Sequence, residues 1–260
     1  MPEGPSILIM KENLSSITGK KIIKADGYAE LDYGRLKNKK VLEIKTWGKH
    51  FYICLKDVVI EVHLGLFGSY LLNDRKEKIN AKLSLKFAKD ELNFYVVNTK
   101  LHDNLDDVDW AADVMSDEWD PKAARAKLKE IPGTFICDAL MNQHIFSGVG
   151  NIIKNESLWR AKIHPLSPVA DVAAVSITKL LNEVVKFSYI FLKYRKIGKL
   201  DEHLNVYKQE YCSRCGSEII SKTLGKTKRG TYWCSHEQVL PETSKIRTHD
   251  KSKKKPVKKR

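Results

Sequence analysis

Residues 148 to 165 read Gly-Val-Gly-Asn-Ile-Ile-Lys-Asn-Glu-Ser-Leu-Trp-Arg-Ala-Lys-Ile-His-Pro. Gly148-Val149-Gly150 is a turn that opens a helix expected over about residues 150 to 161. The first N–H groups of a helix lack partners within it and lie at its positive end, so Gly150 and Asn151 make a cradle suited to a phosphate. Such a turn taken alone is more often only a turn, so its surroundings must decide. Further helical segments are predicted at about 121 to 130, 134 to 143 and 171 to 196. Asp120-Pro121 supplies a cap followed by a proline in the first turn. Ile177, Leu180, Leu181 and Val184 form one apolar face, read as core.

Upstream the period changes from helical to two. From Lys20 to Val97, seven runs rich in β-branched and aromatic residues are separated by Gly, Asp, Asn and Lys turns, which predicts an antiparallel sandwich or barrel. Two loops interrupt it, Thr46-Trp47-Gly48-Lys49 and Gly65-Leu66-Phe67-Gly68. Residues 101 to 120 carry eight acidic groups and no Lys or Arg, and are expected to link two domains and to turn away from nucleic acid. The expected fold class is α+β and multidomain, with an N-terminal antiparallel β-sandwich and flanking helix at 1–110, a helical domain at 111–205, a hairpin at 206–238 and a disordered basic tail at 239–260.

A net charge of +14 favours a polyanionic partner, and half of it sits in residues 239 to 260, which are net +7. No apolar run is long enough to span a membrane and no secretory leader is visible, so the chain is expected to be intracellular, in the cytoplasm or nucleoid, or the nucleus of a eukaryote. Cys54 and Cys137 lie in apolar surroundings and read as buried thiols.

The chain starts Met1-Pro2-Glu3-Gly4-Pro5. Loss of Met1 leaves a proline amine beside a carboxylate. An α-amino group titrates near neutrality, so it is available as a nucleophile, and its adduct with an aldehyde-level carbon is a cationic iminium. The predicted helix over residues 6 to 18 would hold this terminus in place.

Late in the chain, Cys212-Ser213-Arg214-Cys215 is followed by eighteen residues and then Cys234-Ser235-His236. Two cysteines separated by two residues make half a zinc site, and the intervening sequence reads as a hairpin with Lys226, Lys228 and Arg229 at its tip. The second half is irregular: either His236 or Glu237 could be the fourth ligand. Cys212, Cys215, Cys234 and His236 are the favoured set. A hairpin of this size has little core of its own, so metal would be its main stabiliser.

The run from Gly148 to Pro165 closely resembles the helix-two-turn-helix segment of the formamidopyrimidine-DNA glycosylase and endonuclease VIII family. The resemblance extends to about residue 238. It implies that Pro2 is the nucleophile, Glu3 the acid/base carboxylate and Lys49 a lysine that reaches the active site. It also implies that Asn151 and Arg229, with Gly150 and Lys228 beside them, hold DNA phosphates. Arg suits this task through its planar fork. Leu66 and Phe67 are wedge candidates for the gap left by an extruded nucleotide, balanced against a buried turn. The expected activity is that of a DNA glycosylase and abasic-site lyase of base excision repair, with strand cleavage by β,δ-elimination.

Three departures from the family pattern stand out. Ser6 replaces a usual glutamate, the second cysteine pair is irregular, and acidic residues 101 to 110 replace the wedge loop of the formamidopyrimidine branch. The last resembles endonuclease VIII and favours oxidised pyrimidines as substrates. The expected partner is damaged double-stranded DNA, the expected cofactor one structural zinc ion, and the expected state a monomer without membrane attachment. The competing reading is a non-catalytic DNA-binding protein that recognises lesions on the same scaffold.

Overall fold

A computed structural model describes residues 2–240, so Met1 and most of the basic tail, 241–260, lie outside the described residues. Helix α1 spans Gly4–Asn13, starting earlier than its apolar spacing suggests. Pro5 occupies the first turn, where its missing N–H leaves no bond unmade. A 3₁₀ turn at Ser15–Ile17 then leads to Gly19, whose φ of 84° ends the helix. Ile7, Met10, Leu14 and Ile17 are completely buried in the sandwich core. Burying side chains of this size is worth about 2 kcal/mol each, which anchors the segment that carries Pro2.

Eight strands follow: β1 (Lys24–Asp26), β2 (Glu43–Trp47), β3 (His50–Leu55), β4 (Val58–His63), β5 (Ser69–Leu72), β6 (Leu83–Lys86), β7 (Glu91–Tyr95) and β8 (Asn98–His102). They form two antiparallel four-stranded sheets, ordered β1-β6-β7-β5 and β2-β3-β4-β8. The sheets enclose one apolar core that includes Phe51, Ile53, Ile60, Val62, Leu85 and Phe94. β8 is absent from the seven runs read in the sequence because it is a polar edge strand, Asn-Thr-Lys-Leu-His, with no buried residue.

The acidic stretch is not a free linker. Its first two residues complete β8, Trp110–Ala112 form a 3₁₀ turn, and Asp113 is buried. Beyond it lie α2 (Pro121–Lys129), α3 (Ile136–Ala139), α4 (Asn151–Ala161) and α5 (Ala174–Lys196) around a second core containing Leu140, Phe146, Ile153, Leu180, Val184 and Phe187. The helix expected over 134 to 143 shrinks to the single turn of α3. Asn142 accepts the His144 N–H at 3.0 Å in a side-chain turn that diverts the backbone. Leu8 of α1 packs against this helical core, so α1 touches both cores. A hairpin, β9 (Ile219–Leu224) and β10 (Arg229–Cys234), ends the described fold and packs on α4.

Candidate active site

Glu3 sits where three chain segments meet. Its side chain is buried, and its carboxylate caps the start of α4 rather than α1. Oε2 accepts the N–H groups of Gly150 and Ile153, each at 3.1 Å, and Oε1 accepts that of Ile152 at 2.8 Å. The anion cradle seen in the sequence is therefore filled from within the protein, as expected of a carboxylate at a positive helix end. Burial pushes the Glu3 carboxyl up, opposed by the Ile152 and Ile153 N–H groups, the Lys49 ammonium and the Gly150 N–H.

Two glycines make this approach feasible. A Cβ at Gly150 would lie 2.3 Å from the Glu3 Cδ, so any side chain there would displace the carboxylate. Gly48, with φ of 54°, turns the chain from β2 to β3, and a Cβ there would lie 2.0 Å from the Ser147 Oγ. Asp113 fixes the same turn by accepting the Gly48 N–H at 2.8 Å. The acidic stretch therefore aims Lys49 rather than merely joining domains. Burial and the nearby Arg229 push the Lys49 ammonium down, with Glu3 pulling the other way.

Pro2, Lys49, His63, Leu66, Gln143 and Arg229 line one cavity of about 300 Å³, joined by His50. Residues 2, 49 and 229 come from the N-terminus, the turn between β2 and β3 and the C-terminal hairpin. Leu66 and Phe67 are exposed at 53% and 77%, which excludes the buried-turn alternative, and only Leu66 lines the cavity. Lys228 is exposed at the hairpin turn beside Arg229, with φ of 47°.

The hairpin that carries Arg229 is held from two sides. The Asp138 carboxylate of α3 accepts the N–H groups of Lys226 and Thr227 and the Thr227 hydroxyl. From α4, Asn151 Nδ2 donates to the Gly230 carbonyl at 2.9 Å, Asn155 Oδ1 accepts the Tyr232 N–H at 2.9 Å, and Lys154 Nζ donates to the Thr231 hydroxyl at 3.0 Å. Further along α4, Glu156 accepts the N–H groups of Asn205, Val206 and Tyr207, fixing the chain that enters the hairpin.

Comparison with known proteins fits this geometry. Residues 1–100 match the formamidopyrimidine-DNA glycosylase N-terminal domain, and residues 111–189 match the formamidopyrimidine-DNA glycosylase H2TH domain. The chain belongs to the formamidopyrimidine-DNA glycosylase and endonuclease VIII family. It is 35% identical over 201 residues to mouse endonuclease 8-like 2, covering 71% of this chain and 59% of that protein. It is 30% identical over 205 residues to human endonuclease 8-like 3, covering 75% of this chain and 34% of that protein. The chain thus spans only about a third of the length of endonuclease 8-like 3. Lactococcus lactis formamidopyrimidine-DNA glycosylase, solved non-covalently bound to DNA containing an abasic site, superposes with a TM-score of 0.81 at 26% identity, covering 91% of this chain and 99% of that one.

In this family member the Gly-x-Gly pattern marks only Gly150 and Asn151 at the start of α4. Lys154, Asn155 and Glu156, which no motif marks, stand with Ser157 as four consecutive polar residues between Ile153 and Leu158, a visible anomaly in an otherwise buried helix. Burial pushes the Lys154 ammonium down to about 8. Its unfolded value is higher, so between about pH 8 and 10 the unfolded chain binds more protons and folding stability gains with rising pH. The stability difference between the wild type and K154M, measured by urea unfolding, is expected to shift in favour of the wild type by about 1.4 kcal/mol per pH unit at most across that window.

The sulfurs of Cys212, Cys215 and Cys234 lie within 4.8 Å of one another, a soft donor set that could hold a metal ion. Among the described residues, His236 does not join this group. β10 ends at Cys234, the next turn leaves His236 exposed, and Gln238 takes the inward position, accepting the Cys234 N–H and donating to the Ile163 carbonyl. Glu237, the other candidate fourth ligand, is engaged by Arg214 at 2.7 Å and Lys162 at 3.0 Å. Cys54 and Cys137 are buried free thiols, as expected. No described helix is long and apolar enough to cross a membrane.

Proposed function

We propose that the protein is a bifunctional DNA glycosylase and abasic-site lyase of base excision repair that removes oxidised bases, oxidised pyrimidines foremost, from duplex DNA. The observation that carries this reading is the convergence of Pro2, Lys49 and Arg229 on one cavity, with Glu3 fixed behind it at the start of α4. The described basic groups and the positive tail attract the phosphate backbone, and Arg229 with Lys228 holds a phosphate beside the lesion. The damaged nucleotide leaves the stack at a cost of roughly a few kcal/mol, lower for a poorly stacked base, and Leu66 with Phe67 fills the gap.

The Pro2 nitrogen attacks the sugar C1′ and the base departs with its bonding pair, taking up a proton. Glu3 assists opening of the sugar ring to the C1′ iminium, and Lys49 steadies Glu3 and the negative charge that develops nearby. Loss of the C2′ proton then expels the 3′ phosphate, and a second elimination expels the 5′ phosphate. Asn151 contributes to phosphate binding once it exchanges the Gly230 carbonyl for DNA. The protein acts as a monomer.

Duplexes that each carry one defined lesion test the reading. Thymine glycol is expected to give strand cleavage with phosphate at both ends of the gap, and 8-oxoguanine slower cleavage. Tight binding without base release on every lesion would instead favour a non-catalytic lesion-binding protein.

Cys212, Cys215 and Cys234 would hold a zinc ion, which would brace the hairpin and supply no step of the reaction. C215S is therefore expected to reduce bound zinc from about one ion per chain to almost none, measured by atomic emission. Loosening Arg229 should weaken binding to a lesion duplex by about 2 kcal/mol, roughly the value of a charge-assisted hydrogen bond. Unchanged zinc content would remove these thiols from the ligand set.

A further inference from the structure

We propose that His50 is a second proton-transfer group of this site, oriented by Glu61 and His102, which removes the C2′ proton during strand cleavage. This rests on the lyase reading above. His50 opens β3 immediately after Lys49 and lines the cavity with Pro2. Its Nδ1 lies 2.6 Å from Glu61 Oε1 on the adjacent strand β4. The other Glu61 oxygen is hydrogen-bonded to His102 Nε2 on β8, the next strand of the sheet. Side-chain exposure runs from 26% at His50 through 13% at Glu61 to 37% at His102, so the relay joins the cavity wall to the outer face of the sheet.

The arrangement sets the tautomer. A carboxylate beside Nδ1 favours the proton there and leaves Nε2 with its lone pair, and no described residue hydrogen-bonds to His50 Nε2. The two histidine bonds hold the Glu61 carboxyl down at about 2, which keeps it an acceptor. The other groups nearby are less suited. His63, whose ring is 4.9 Å from that of His50, uses its Nδ1 to accept the Gly65 N–H. Glu3 accepts three N–H groups, and Lys49 stands as its counter-charge. Pro2 is the nucleophile and Arg229 is a permanent cation. Tyr52, stacked at 6.3 Å, is pushed above its usual range by burial and by Glu61 and offers no base near neutrality.

In the step itself, His50 Nε2 takes the C2′ proton, and the C–H pair forms C1′=C2′ as the iminium π pair moves to the Pro2 nitrogen. That nitrogen pair then restores the iminium, the C1′=C2′ pair moves to C2′=C3′, and the C3′–O bond breaks to release the phosphate. The imidazolium remains paired with Glu61 until it loses the proton to water.

The test uses H50Q and E61Q on a duplex with a natural abasic site, with binding measured on a tetrahydrofuran duplex that cannot react. H50Q is expected to cleave about 100-fold slower, at the lower end of general acid–base effects, while borohydride traps an uncut covalent adduct at wild-type yield and duplex affinity is unchanged. E61Q, which keeps the imidazole but loses the carboxylate charge and one of the two accepting oxygens, should slow cleavage by an intermediate factor. Wild-type cleavage in H50Q, or a parallel fall in trapping and cleavage as from a disordered site, would overturn the role of His50. Absence of any trapped adduct with the wild type would overturn the lyase reading itself, and this role with it.

Discussion

A chain whose Pro2 nitrogen is acylated, by retained Met1 or by an N-terminal tag, is expected to bind an abasic-site duplex within a few-fold of the free-amine protein. Its strand cleavage should fall by at least about 1,000-fold, because the lone pair of an amide nitrogen is delocalised into its carbonyl and is not available to form the iminium. The two effects separate because the proposed DNA-binding groups are elsewhere: Arg229 lies on β10, Asn151 on α4 and Leu66 in the turn after β4. Side-by-side cleavage and anisotropy measurements on both forms, with the N-terminus checked by mass spectrometry, decide it. Equal cleavage by the two forms would exclude Pro2.

The second large effect is expected of E3Q. An amide cannot accept from all three N–H groups at the start of α4, so one of Gly150, Ile152 and Ile153 is left facing an NH₂. An unsatisfied buried group costs about 1–3 kcal/mol, which thermal unfolding would register. Loss of the proton carrier should slow single-turnover base release by about 100-fold or more. G150A offers a comparison in which the carboxylate survives but its place does not, since the new Cβ would lie 2.3 Å from Glu3 Cδ. It should mimic E3Q in rate. Wild-type turnover in both variants would remove Glu3 from the chemistry.

The sequence made the sandwich legible because β-branched runs alternate between turns, and α4 and α5 legible because their apolar spacing is helical. It made β8 illegible: an edge strand needs no apolar face, and Asn-Thr-Lys-Leu-His has none. The Asp113 contact was hidden for a different reason. Eight acids without a Lys or Arg look like a solvated linker, and only the tertiary approach of Gly48 turns one of them into a buried acceptor. Glu3 was visible as a residue, but its grip on the start of α4 spans 147 positions in sequence to Gly150. Periodicity and spacing report local order; they carry no record of which distant backbone a carboxylate will cap. Lys154, Asn155 and Glu156 are the intermediate case. They break the apolar pattern of a buried helix, a detectable signal, yet the segments they hold lie from 49 to 77 residues onward.

The proposed chemistry joins the Pro2 amine covalently to the sugar C1′ of a damaged nucleotide. The direct measurement is borohydride reduction of the protein with an abasic-site duplex, followed by proteolysis and mass spectrometry of the cross-linked peptide. The DNA remnant is expected on the nitrogen of a peptide beginning Pro2-Glu3-Gly4. Attachment to a lysine, Lys49 or Lys154 included, or no adduct from a chain shown to begin at Pro2, would contradict it.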